Sequence, residues 1–159
     1  MAPRVHRAAL AALLGAACDG LPPAQGPGND LLEAVQAADY RSWARPPKGD
    51  AMNPLTPGKS THGDFIDVYL NETLAAALSA APKSLGAWPE GSIAVLDGWD
   101  DPEGSSLRFI AIMERRPGGW YFEHYVDGDL AAPRHYGAPD TCVGCHAAGS
   151  DGLRTVALP

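Results

Sequence analysis

The most regular pattern along the chain has a period of two. Over Phe65–Leu70, Ile66, Val68 and Leu70 fall on one side and Phe65, Asp67 and Tyr69 on the other, as in a β-strand with two different faces. Residues 92–97 read as a second, shorter strand, 107–113 as a strongly apolar one, and 120–126 as a fourth. Arg116-Pro117-Gly118-Gly119 predicts a hairpin between the last two, and Asp127-Gly128 turns the chain again. Helical periodicity occurs twice. Leu31, Val35 and Ala38 share a stripe flanked by Leu32 and Trp43, and Asp30 with Glu33 has capping-box spacing, which predicts a helix over about 30–43. Asn71 opens a second helix over 72–81, with Leu74, Leu78 and Ala81 on one face and Pro82 as its stop. Residues 46–61, rich in proline, read as an irregular connection, and 98–106 as an acidic loop. A short last helix carries residues 142–146, capped by Asp140 or Thr141. The order helix, strand, helix, three strands, helix predicts an α+β fold, a mostly antiparallel sheet with packed helices.

The first 29 residues fit neither pattern. Arg4, His6 and Arg7 precede an apolar run over 8–17 that is too short to span a bilayer, so 1–17 reads as an export signal. Leu14-Gly15-Ala16-Ala17-Cys18 resembles a lipoprotein cleavage box with its leucine one place too far upstream, which makes Cys18 a candidate lipidation site. Residues 18–29 are rich in Pro and Gly and read as a flexible linker, leaving 30–159 as one domain. The expected location is periplasmic, or anchored on the outer side of a membrane.

Charge narrows the partners. The formal net charge of the 159 residues is −7, and losing Arg4 and Arg7 with the signal makes it −9. Such a chain is poorly suited to nucleic acid or anionic lipid, and would suit a basic redox partner protein.

The chemistry concentrates in Cys142-Val143-Gly144-Cys145-His146, a C-x-x-C-H motif. Two thiols one helical turn apart can each add to a haem vinyl group, and the adjacent histidine can ligate the iron, so the motif predicts one covalent haem c with His146 as axial iron ligand. Three other readings explain less. A zinc site needs about four ligands, and this motif offers three. A redox dithiol opens a helix within a βαβ unit, and a structural disulfide leaves His146 without a purpose.

Further motifs fall in order along the chain: Asp39-Tyr40-Arg41-Ser42-Trp43, Thr61-His62-Gly63, Val68-Tyr69-Leu70-Asn71, Trp88-Pro89-Glu90-Gly91-Ser92, Trp120-Tyr121-Phe122, and Asp151 after the C-x-x-C-H run. Over about residues 30–156 the chain resembles the cytochrome P-460 family, which includes the cytochromes c′-beta. The resemblance implies a small exported homodimer whose haem lies against a β-sheet, with histidine on one side of the iron and an open pocket on the other. Members of the P-460 type oxidise hydroxylamine and carry a lysine that cross-links to the haem. That position falls on Leu96 here, followed by Asp97, which favours the c′-beta type and the binding of nitric oxide or related small ligands.

Leu96, His124 and Phe109 are therefore the candidates for the distal pocket. Alternation puts His124 with Trp120 and Phe122, and Glu123 with Tyr121 and Tyr125. Glu123 reads as an exposed carboxylate, His62 as a residue that fixes its turn by hydrogen bonds, His135 as a loop residue, Met113 as core, and Arg134 or Arg154 as a propionate partner. Two alternatives stay open: a six-coordinate electron-transfer cytochrome with His124, His62 or Met113 as sixth ligand, and a hydroxylamine-oxidising cytochrome P-460.

Overall fold

A computed structural model describes residues 30–46, 55–58, 61–79 and 86–154. The expected signal, Cys18 and the linker lie outside the described residues. Helix α1 (Asp30–Ala37) is followed by a 3-10 turn (Tyr40–Ser42), strands β1 (Thr56–Pro57) and β2 (Phe65–Leu70), and helix α2 (Glu72–Ser79). Strands β3 (Ile93–Trp99), β4 (Leu107–Arg116), β5 (Gly119–Val126) and β6 (His135–Gly137) come next, then helix α3 (Asp140–His146). The six strands form one antiparallel sheet in sequence order. The fold is thus α+β with a mostly antiparallel sheet, as the alternation indicates. Among the described residues, no helix is long and apolar enough to cross a membrane.

Several boundaries differ from the sequence reading. The first helix ends at Ala37, because Asp39 takes a left-handed conformation (φ 48°) that starts the 3-10 turn. Asp tolerates that conformation better than most residues. Two short strands, β1 and β6, form where loops were expected, since each adds hydrogen bonds along a sheet edge. Strand β3 runs on through Gly98 and Trp99. Asn71 caps α2 as expected: its Oδ1 accepts from Leu74 N–H and Ile93 N–H, both at 3.0 Å.

Each face of the sheet has its own core. One is built from Leu31, Leu32, Val35 and Tyr40 of the N-terminal segment against Tyr69, Val95, Ile110, Ile112 and Tyr125. Full burial of side chains such as Leu32 or Val35 contributes roughly 1.5–3 kcal/mol each. The other combines Val68, Leu70, Ala94, Met113 and Phe122 with Leu74, Ala77, Trp88 and Leu153.

The first face also buries three carboxylates. Asp97 accepts from Tyr40 Oη and Arg41 Nε, each at 2.8 Å. Asp67, its cross-strand partner, receives a two-pronged bond from Arg45 (2.9 and 2.7 Å) and the Tyr69 hydroxyl at 2.9 Å. Like charges directly opposed across a strand pair repel, and the two arginines compensate them. Glu123, expected to be exposed, is buried. It accepts from Leu32 N–H in the first turn of α1 (3.2 Å) and from Tyr125 Oη (2.8 Å). It therefore supplies from β5 an acceptor for a backbone donor that the helix leaves free.

Burial pushes the Glu123 carboxyl above its usual range, against the opposing effect of its hydrogen bonds. A raised folded value means that folding favours the protonated form. The Glu123 contribution is complete below the unfolded value of about 4.3 and is lost as pH rises through the folded value. Urea unfolding at a series of pH values should show Glu123→Gln gaining on the wild type as pH rises. A constant difference would mean that Glu123 does not titrate with folding. The wild type keeps a slope of the same sign from Asp97, whose carboxyl burial also raises.

Candidate functional site

The second face of the sheet is built in transverse rows. Register pairs Val68 with Leu96, Leu96 with Ala111, Ala111 with His124, and His124 with His135. One row across five strands thus passes from aliphatic to imidazole. On one side of it lie Leu70, Ala94, Met113 and Phe122, and on the other Ile66, Gly98 and Phe109. The central row, with Ala94, Met113, Phe122 and Ile66 beside it, floors a cavity of about 500 Å³, which α3, Leu153, Arg154 and the segment around His62 enclose. That size falls within the ~300–1,000 Å³ typical of ligand and cofactor pockets.

Helix α3 presents the C-x-x-C-H residues to this cavity. Cys142, Cys145 and His146 all line it, and both thiols are free. Neither Asp140 nor Thr141 caps the helix. The cap position is Pro139, whose carbonyl accepts from Val143 N–H at 3.0 Å, and Asp140 lies within the first turn, where a negative charge suits the helix dipole. No residue of α3 is buried. Burial pushes the half-buried Cys142 thiol up, which keeps it neutral.

The orientation of His146 is set from behind. Its Nδ1 lies 2.7 Å from the Gly152 carbonyl oxygen, which can only accept. The ring proton therefore sits on Nδ1 and leaves Nε2 bare, the tautomer a metal-ligating histidine needs. The Gly152 carbonyl is held by its loop. Trp120 Nε1 donates to Asp151 O (2.6 Å), the Asp151 carboxylate accepts from Trp88 N–H (2.9 Å), and Trp88 Nε1 donates to Ser150 O (2.9 Å). Gly152 has φ +86°, and a Cβ there would lie 2.6 Å from Trp120 Nε1, so the loop needs glycine at this point.

Four of the five histidines in the sequence converge here: His62, His124, His135 and His146 all line the cavity. The His62 ring centre is 5.1 Å from that of His124 and 6.4 Å from that of His146. His124 stacks on Phe109 at 5.7 Å and on His135 at 6.0 Å. Burial is the main cause that lowers the pKa values of His62 and His124 to about 4, with Arg154 acting on His62 and Arg134 on His124 in the same direction, so both are neutral at physiological pH.

The expected distal residues do not all line the cavity. Leu96 and His124 do line the cavity. Phe109 does not: it backs His124, so it supports the wall without forming it. Glu123 directs its carboxylate to the opposite face. His135 is a strand residue rather than part of a loop, and Met113 is buried yet borders the cavity. Arg154 lines the cavity with Nη1 3.1 Å from Cys145 Sγ, whereas Arg134 is exposed and donates its backbone N–H to His124 O at 2.7 Å. Sequence reasoning missed Gly98 and Gly152. A glycine inside a strand is itself a signal of close backbone approach.

No protein-family model matches this chain, and no curated protein matches it. The chemistry of the site rests on its own residues. Among the described residues, no three His, Cys, Asp or Glu side chains converge as a ready-made ion site. The arrangement fits a haem better than a bare ion, because a porphyrin brings most of the iron's ligands and asks the chain for one imidazole and two thiols.

Gly98 is what allows the His62 segment to close over the sheet. A Cβ there would lie only 1.8 Å from the His62 carbonyl oxygen. Gly98→Ala should therefore cost about 1–3 kcal/mol by overpacking, measured as a lower urea midpoint. Gly86→Ala, which meets nothing within 4 Å, should change stability by no more than ~0.5 kcal/mol. Equal effects would show that the Gly98 contact is not confining.

Proposed function

We propose that this chain is an exported mono-haem c-type cytochrome that binds small ligands at its iron. The observation that carries this reading is the C-x-x-C-H helix facing a cavity of about 500 Å³ with His146 already held by the Gly152 carbonyl. The Cys142 and Cys145 thiols would each add across a haem vinyl double bond, forming a carbon–sulfur bond while the thiol hydrogen goes to the neighbouring carbon. His146 would hold the iron through Nε2. The bound group supplies a redox-active metal with an affinity for small diatomic and nitrogenous molecules.

The chain's residues do the rest. The aliphatic end of the sheet, Val68, Leu96 and Ala111, lines the cavity and would pack the macrocycle and exclude water. Arg154, beside Cys145, places a positive charge at the cavity rim, where an anionic propionate would be accommodated. Leu96 cannot form the cross-link of the P-460 type, which favours nitric oxide or carbon monoxide over hydroxylamine oxidation. The wall is not wholly apolar, since His62, His124 and His135 share it with Leu96.

Acid–acetone extraction of the purified full-length protein tests the attachment. Haem should stay with the polypeptide, and the Cys142→Ala/Cys145→Ala protein should release it into the organic phase. Extraction of haem from the wild type would refute the proposal. His146→Ala should alter the iron spectrum, and an unchanged spectrum would move the proximal role elsewhere.

A further inference from the structure

We infer that His62 is a second, displaceable axial ligand of the iron, so that small ligands bind only by replacing it. The inference rests on the haem reading above and goes beyond it by naming what controls access to the metal. Metal–imidazole bonds of about 2.0–2.1 Å place two imidazoles on one ion with their ring centres roughly 6 Å apart. The His62 and His146 ring centres are 6.4 Å apart, with ring planes at 65°.

The bland role for His62 is to pin its own turn, and the contacts do not support it. Its Nδ1 is buried and has no hydrogen-bond partner among the described residues. What closes the turn is backbone: Asp64 N–H donates to Trp99 O at 3.1 Å, Gly58 N–H donates to Asp64 O at 2.7 Å, and the His62 carbonyl oxygen packs onto Gly98. The ring is thus held at the cavity by the main chain and left free for another partner.

His124 is the competing candidate, since its Nε2 is likewise buried without a hydrogen-bond partner among the described residues. Its ring is engaged on both sides, stacked on Phe109 at 5.7 Å and on His135 at 6.0 Å, and it meets the edge of His62 at 5.1 Å. We therefore assign it to support of His62.

Two imidazoles on the iron make it low-spin in both oxidation states. A small ligand then binds at a rate that levels off at the rate of His62 release.

The experiment is optical and electron paramagnetic resonance spectroscopy of the purified holoprotein, with carbon monoxide as probe. Low-spin spectra are expected for the wild type, ferric and ferrous. His62→Ala should be high-spin, and added imidazole should restore the low-spin form. His124→Ala should stay low-spin. Carbon monoxide affinity should rise at least ~10-fold in His62→Ala if the wild-type iron is capped more than nine-tenths of the time. A high-spin wild type overturns the inference, as does a low-spin His62→Ala protein or a high-spin His124→Ala protein. If His62→Ala fails to accumulate with haem, a low-spin wild type that stays low-spin in both His124→Ala and Met113→Ala supports the inference, and a high-spin spectrum in any of the three overturns it. These readouts separate from the attachment test: haem that resists extraction while the iron is high-spin leaves the cytochrome reading standing and removes this one.

Discussion

Three buried carboxylates decide which face of the sheet is closed. Asp67 and Asp97 are direct cross-strand partners, and neither could remain buried opposite a like charge without compensation. Arg41 and Tyr40 reach Asp97 from the 3-10 turn, and Arg45 reaches Asp67 from the segment after it. Glu123 draws in the start of α1 from β5, on the same face of the sheet. The N-terminal segment is thereby tied to one face by polar contacts as well as by its leucines, and the other face is left for the cavity.

That division explains why the motifs fall into two groups. Tyr40, Arg41 and Tyr69 serve the closed face, where their hydrogen bonds satisfy carboxylates. His62, Leu96 and the C-x-x-C-H residues serve the cavity. Trp88, Trp120 and Asp151 stand on the cavity's side of the sheet without lining it. They lock the loop after α3, and through Gly152 they set the imidazole of His146. A residue remote from the cavity thus orients the group most important to it.

The cavity also shows how sheet register distributes chemistry. A row of directly paired residues changes from Val68, Leu96 and Ala111 to His124 and His135 as it crosses the sheet. One end is suited to packing a flat apolar surface and the other to donating or accepting a proton. His124 stays neutral there because burial disfavours its charged form.

Local pattern by itself determined the strands from Phe65 to Val126, the Asn71 cap of α2, and the C-x-x-C-H motif. Alternation, turn residues and cysteine spacing are short-range signals, and each was readable without knowing what lay opposite. It also separated His124 from Glu123 by face, because side chains along a strand alternate without exception from register. Tertiary structure alone decided that Glu123 is buried as an acceptor for α1, that Phe109 stands behind His124, and that β6 pairs His135 with His124. Only it brought His62 to within one metal's span of His146, across 84 residues of chain, through the close approach that Gly98 permits. The physical reason is common to all four: each depends on which residues become neighbours when strands pair and segments cross, and period and composition carry no record of that partner.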